Sequence, residues 1–400
     1  MPKRPSDKRG GGRSAKLPTG ARRRRHLYLV LDDWELGYTI RKIDLSSDTD
    51  SGDAKEPPHH QAEEEEEEED RAEQRLPPAV FRLEAPRAHS GLFAAFGTKI
   101  MATHHSRNCN SSPMFDVRTR ALTFAPRQEY RPNSYCNVYV QVDGKLFFLD
   151  ASGNFEMLPP PPPPHNGVPV PPPPFDASFP KFRHDWSWRE LPESPPLFHI
   201  VAHAVHPNER TIFFVLEDHS SRRGAKVATF SFDTGSSRWT RHGRWRLPFK
   251  GRGFADEELD AWVGLPHDPD ALGHLCACDF VSADADNIGR QPPAFKLSKE
   301  KLFCVDPAEE HIGATLVQIG GGSRFCLVQC LSVDGREEGV WKEAQPELRR
   351  FLLRLTTFSL RYDKKGDLRA SKRHLVGSYR LPKIATEYWD ELQRPVAFWM

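Results

Sequence analysis

Apolar residues in this chain fall into short runs parted by Gly, Asp, Asn and Ser, and the runs recur in pairs. His26-Leu-Tyr-Leu-Val-Leu31 opens the series, and strand character returns at Ala79-Val-Phe-Arg-Leu-Glu84. Four hairpins then follow. Gly91–Phe96 turns at Gly97-Thr98 into Lys99–Thr103, and Asn137–Val142 turns at Asp143-Gly144 into Lys145–Leu149. Ile200–Val205 turns at Pro207-Asn208 into Thr211–Leu216, and Gly313–Ile319 turns at Gly320–Gly322 into Arg324–Gln329. Asp-Gly between apolar runs is the strongest short hairpin signal. Only Glu257–Trp262 and Thr386–Gln393 suggest short helices, so the pattern predicts a mostly β chain.

A second regularity spans the chain. Tyr38–Asp44, Pro113–Phe124 around Asp116, Thr229–Trp239 around Asp233 and Thr357–Leu368 around Asp363 each read as strand, Asp at a turn, then strand. An Asp there accepts backbone amides two residues on, which gives Asp44, Asp116, Asp233 and Asp363 structural roles. Such repetition points to stacked units, each hiding its apolar face against the next. Six units can be marked out, near 27–83, 89–127, 136–193, 198–249, 254–305 and 312–382, the fifth being the least regular. The first has three strands of its own, and Pro395-Val-Ala-Phe-Trp-Met400 is predicted to pair with it.

Composition changes this picture only locally. The net charge is +1, from 56 basic and 55 acidic residues, which speaks against nucleic acid as the partner of the whole molecule. Residues 1–25 hold ten Lys or Arg against one acid, and 47–76 hold thirteen acids against three bases. Blocks of this kind rarely fold. A disordered basic tail over 1–25, an acidic disordered insert over 46–76 and a proline-rich insert over 159–180 are therefore expected around one domain, 26–400. The proline runs at 159–164 and 171–174 suit polyproline II, and a solvated loop is the favoured reading over a docking motif. No apolar run reaches the roughly 18 residues of a membrane helix. Seven cysteines, at 109, 136, 276, 278, 304, 326 and 330, suit reduced thiols in cytoplasm or nucleus better than a disulfide framework.

Phe230-Ser-Phe-Asp233 followed by Trp239, and Arg361-Tyr-Asp363, resemble kelch repeats, the blades of the galactose-oxidase-like superfamily of β-propellers. The double glycine of that signature is missing from most units. Lys99–His104 with Pro113–Asp116, Ala261–Leu265, Gly313–Val317 with Arg324–Cys330, and Leu355–Asp363 look like a family of uncharacterised kelch-like plant proteins expanded in grasses, a domain of unknown function. The resemblance implies an all-β, six-bladed, kelch-like β-propeller and brings no activity with it. Kelch-like plant proteins often carry an F-box before the propeller, but the 25 polar residues here do not supply one. Galactose oxidase holds copper through tyrosines, histidines and a thioether-linked cysteine, and no residue here can be matched to those positions.

Candidate chemistry is sparse. On a regular strand, His199 and His203 would stand about 13 Å apart on one face while His206 faces away, too far for zinc. Cys276 with Cys278, and Cys326 with Cys330, read as small buried core residues. Gly320-Gly-Gly-Ser323 lacks the Lys-Ser/Thr of a phosphate-binding loop and reads as a turn. Trp34, Trp186, Trp188, Trp239, Trp245 and Trp262 suit packing between sheets. Arg22, Arg23, Arg24 and Arg25 form a candidate nuclear-import cluster. No catalytic, cofactor-binding or metal-binding residue is expected. The resulting expectation is a monomeric, noncatalytic scaffold that presents Thr103–Ser112, Pro159–Pro174 and Pro266–Gly273 to a protein partner, in cytoplasm, nucleus or both. A ubiquitin-ligase substrate receptor without an F-box and an enzyme of the galactose-oxidase superfamily are the alternatives.

Overall fold

The computed structural model describes residues 25–45, 73–103, 111–128, 137–162, 186–195, 199–218, 226–282, 291–303, 306–333 and 349–400. The acidic insert up to residue 72, the proline-rich insert from 163 to 180 and Arg22–Arg24 lie outside them. The chain begins with β1 (Leu27–Trp34) and β2 (Gly37–Ile43), then β3 (Glu73–Arg75) and β4 (Ala79–Glu84). Four strands follow in a simple meander, β5 (Phe93–Phe96), β6 (Lys99–Ala102), β7 (Ser111–Asp116) and β8 (Leu122–Pro126). A second meander holds β9 (Asn137–Val142), β10 (Lys145–Asp150), β11 (Phe155–Leu158) and β12 (Arg189–Glu190). Then come β13 (His199–Val205), β14 (Thr211–Asp218), β15 (Lys226–Asp233) and β16 (Arg238–Gly243). After them run β17 (Phe249–Asp256), β18 (Ala261–Pro266), β19 (Cys276–Asp279) and β20 (Phe295–Leu297). The last meander is β21 (Glu309–Gln318), β22 (Arg324–Val333), β23 (Arg350–Tyr362) and β24 (Leu368–Arg380). A short helix α1 (Trp389–Gln393) and β25 (Val396–Trp399) end the chain.

These strands make small antiparallel sheets, a propeller-like all-β arrangement. Sheet I has the order β25-β1-β2-β4, so the terminal strand supplies the member that the first unit lacks. Sheets II, III and IV are β5–β8, β9–β12 and β13–β16, sheet V is β17–β20, and sheet VI is β21–β24 with β3 added at its outer edge. Sheets IV and V are continuous, because β13 and β17 pair in parallel through Ala202, His203 and Ala204.

Packing explains why the second strand of each sheet reads as an unbroken apolar run. Leu27, Leu29 and Leu31 of β1 enter one core with sheet VI, while Tyr28 and Val30 enter another with sheet II. In β14, Ile212, Phe214 and Leu216 meet sheet III, and Phe213 and Val215 meet sheet V. In β22, Phe325 and Leu327 pack towards sheet V, and Cys326, Val328 and Cys330 towards sheet I. A strand buried on both faces has no polar alternation to show. The remaining contact, between sheets II and III, joins Met101 and Met114 to Leu146 and Leu158.

Four expectations are corrected. The strand that pairs with β2 after Asp44 is not its immediate successor: β3 joins β24 of sheet VI in parallel and only then does β4 return to sheet I, while the turn amides expected at Asp44 lie outside the described residues. The acidic insert therefore does not run unstructured to residue 76. The fifth unit, marked near 254–305, starts at Phe249; Gly253 and Gly264 are needed where the Phe249 ring packs, and a Cβ on Gly253 would stand 2.4 Å from it. Glu257–Trp262 is a turn entering β18, with no helix.

Candidate binding cavity

A cavity of about 1150 Å³ opens over one end of sheet I, between turns of sheets II and VI. Its floor comes from Tyr28 and Lys42, which face each other in the β1–β2 register, together with Val80 and the end of β25. His26 and Met400 exchange both backbone hydrogen bonds there, at 2.8 and 3.1 Å, which fixes Trp399 and Met400 against the cavity. Burial raises the pKa of the Tyr28 phenol, with the Arg120 charge opposing, so the ring stays neutral.

One lip is built by the turn after β7. Asp116 Oδ1 accepts the amides of Arg118 and Thr119 at 2.9 and 3.1 Å, and Oδ2 accepts from the Thr98 hydroxyl at 2.9 Å. Burial opposes the charge on Asp116, but these bonds and Lys99 outweigh it and hold its pKa below the ordinary carboxylate value. The turn closes with Arg120 in the left-handed region, φ 58°, a conformation that costs a non-glycine residue roughly 1–2 kcal/mol. Arg118 and Arg120 are thus presented by a turn whose backbone is tied down. The other lip is Ile319, Gly320, Gly321 and Arg324. Ser323 anchors it, donating to Asp256 Oδ1 of sheet V at 2.7 Å, and its carbonyl accepts from Leu360 N at 2.9 Å.

The cavity carries one sign of charge. Arg25, Lys42, Arg118, Arg120 and Arg324 line it, and no Asp or Glu does. Several cations elsewhere are paired: Arg41 with Asp33 at 2.6 Å, Arg87 with Asp32 at 2.6 Å, and Arg354 with Glu309 at 2.5 Å. Among the described residues none of the five cavity cations has such a partner. Carboxylates do stand behind the lining: Asp116 holds Thr98 and the Arg118 amide, and Asp44 lies 3.8 Å from His26 Nδ1. Among the described residues the buried indole Nε1 of Trp399 has no hydrogen-bond acceptor.

Of the residues singled out from sequence, Asp116, Asp233 and Asp363 each receive two turn amides on Oδ1. Asp150 and Asp256 do the same with the same spacings, and were not singled out in the sequence. Trp239 packs on Phe155, Phe214 and Phe232 and so joins sheets III and IV. Of the import cluster only Arg25 is described, and it lines the cavity. His199 and His203 do not share a face: a bulge at Ile200/Ala202 pairs them with Glu217 and Phe214, three residues apart. Among the described residues no three His, Cys, Asp or Glu side chains gather as a metal site requires. Cys276, Cys278, Cys326 and Cys330 are buried, and burial pushes the thiols of Cys276, Cys326 and Cys330 up to about 12.

Sequence reasoning missed the cavity. It favoured long loops, of which Thr103–Ser112 and Pro266–Gly273 connect second to third strands, at the far end of their sheets. The signal was in tight turns instead: Arg118 and Arg120 flank the Asp116 turn, and Arg324 follows the glycines.

Residues 24–379 match the family described as "Protein of unknown function (DUF1668)", and the chain belongs to that family. No curated protein matches it. Among solved structures, a Nidogen/Laminin complex aligns at 11% identity over 90% of this chain and 98% of that one, with a TM-score of 0.38. A putative 6-phosphogluconolactonase from Bacteroides uniformis aligns at 10% identity over 94% and 99%, TM-score 0.37. Hsv2 of Kluyveromyces lactis aligns at 9% identity over 76% and 78%, TM-score 0.34. Similarities this low say nothing about activity.

Proposed function

We propose that the chain is a noncatalytic interaction scaffold, a six-bladed kelch-like propeller whose turn-bearing face receives a protein partner. The succession of cores from sheet I through II, III, IV, V and VI and back to I supports a closed circle. The observation that carries the functional reading is the large cavity held between fixed turns on one face. Rigid strands bearing exposed turns suit recognition. Thiols raised by burial are poor nucleophiles, which favours binding over catalysis. The Arg22–Arg25 cluster fits a protein of cytoplasm and nucleus.

Cross-linking mass spectrometry on the full chain purified from native tissue tests this reading. A partner cross-linked reproducibly around Lys42 and Lys99 is the expected result. Stoichiometric copper with oxidase turnover, or a ligase component cross-linked only at the opposite end of the sheets, would overturn it in favour of the enzyme or the receptor.

A further inference from the structure

We infer that the cavity over sheet I is a docking site for a carboxylate-rich polypeptide segment that also carries apolar side chains; the inference rests on the scaffold reading and names the partner's chemistry. Five cations lining one enclosure repel one another, and no Asp or Glu in the lining offsets them. An incoming anionic chain relieves that repulsion, and guanidinium groups take carboxylates in a bidentate fork. Four of the five cations are arginines.

Three features select a peptide over other anions. The volume of about 1150 Å³ exceeds the roughly 300–1,000 Å³ of small-molecule pockets and suits several residues of chain. Half-buried Trp399, beside the edges of the buried Tyr28 and Phe115 rings, adds aromatic surface that a phosphate ion would leave unused. Among the described residues the five cations surround one space rather than forming a line, whereas nucleic acid is met by a basic stripe following many phosphates. The lip at Gly320 and Gly321 is bare, since a Cβ at either would meet nothing within 4 Å, so a peptide backbone can approach it.

The test is fluorescence anisotropy on the full chain, with a labelled eight-residue peptide of six glutamates, one phenylalanine and one leucine. Saturable binding is expected, weakened at least tenfold in Arg118→Glu/Arg120→Glu and weakened again by salt. The same peptide with glutamine for every glutamate should not bind. Gly321→Trp, which leaves every charge in place and needs no left-handed backbone, should also weaken binding; circular dichroism and melting identical to the parent chain confirm both variants as folded. Equal affinity for the parent chain and both variants would overturn the assignment, as would a twelve-nucleotide single strand or inorganic phosphate displacing the peptide at lower concentration than unlabelled peptide does. Failure here while cross-links still fall around Lys42 and Lys99 would leave the scaffold standing with a different partner chemistry; absence of those cross-links would remove the scaffold itself.

Discussion

His203 stands directly opposite Arg252 where β13 and β17 run in parallel, the pairing that joins sheets IV and V. Burial, with the Arg252 charge adding to it, pushes the His203 pKa down to about 3. Arg252 keeps exposed surface and stacks over Phe254 at 4.7 Å, yet the protein around it is close enough for desolvation to lower its own pKa. Cation and imidazole thus coexist because the imidazole stays neutral.

That pairing sets a pH dependence. A histidine depressed from 6.5 to about 3 binds its proton more readily in the unfolded chain. Stability from His203 is therefore full above pH 6.5 and declines as pH falls from there towards 3. His311, buried near Lys250 and pushed down to about 4, acts in the same direction. Melting temperature should fall steadily between pH 7 and pH 4, with a shallower slope in His203→Gln. An NMR titration placing the His203 imidazole near 6.5 would refute this account.

Trp262 clamps the same junction from the other side. It is fully buried, donates Nε1–H to the Val205 carbonyl at 2.8 Å and packs on Phe213 at 5.1 Å. Truncation of a buried tryptophan leaves a cavity costing about 3–5 kcal/mol. Trp262→Ala should lose that much in urea unfolding, and Trp262→Phe distinctly less. A loss below about 1 kcal/mol for the alanine variant would mean that sheets IV and V do not depend on this contact.

How much of this was legible in the sequence follows from what each signal measures. Hairpins such as Asp143-Gly144 were plain, because two consecutive left-handed residues, φ 47° and 67°, demand that dipeptide chemistry. The pairing of residues 395–400 with the first unit was legible as a missing strand matched by a spare one. The start of β17 at Phe249 was not legible, because apolar alternation breaks at Lys250–Gly253, where Gly253 makes room for the Phe249 ring. The strand expected directly after Asp44 was misplaced because turn chemistry does not reveal that β3 will join another sheet. The cavity was not legible at all: Lys42, Arg118 and Arg324 come from three sheets, and only the tertiary arrangement brings them around one space.

Sheet I is where the two ends of the chain meet, and an engineered cross-link there tests the whole arrangement. His26 and Met400 form a hydrogen-bonded pair, so Leu29 and Ala397 fall on a non-hydrogen-bonded one, where Cα atoms lie about 4.5 Å apart. That separation lies within the roughly 4.4–6.8 Å range of disulfides. In Leu29→Cys/Ala397→Cys, mild oxidation should give a monomer whose peptides spanning positions 29 and 397 are linked, with a raised melting temperature. Free thiols at both positions, or links only between molecules, would contradict a fold in which the last strand completes the first sheet.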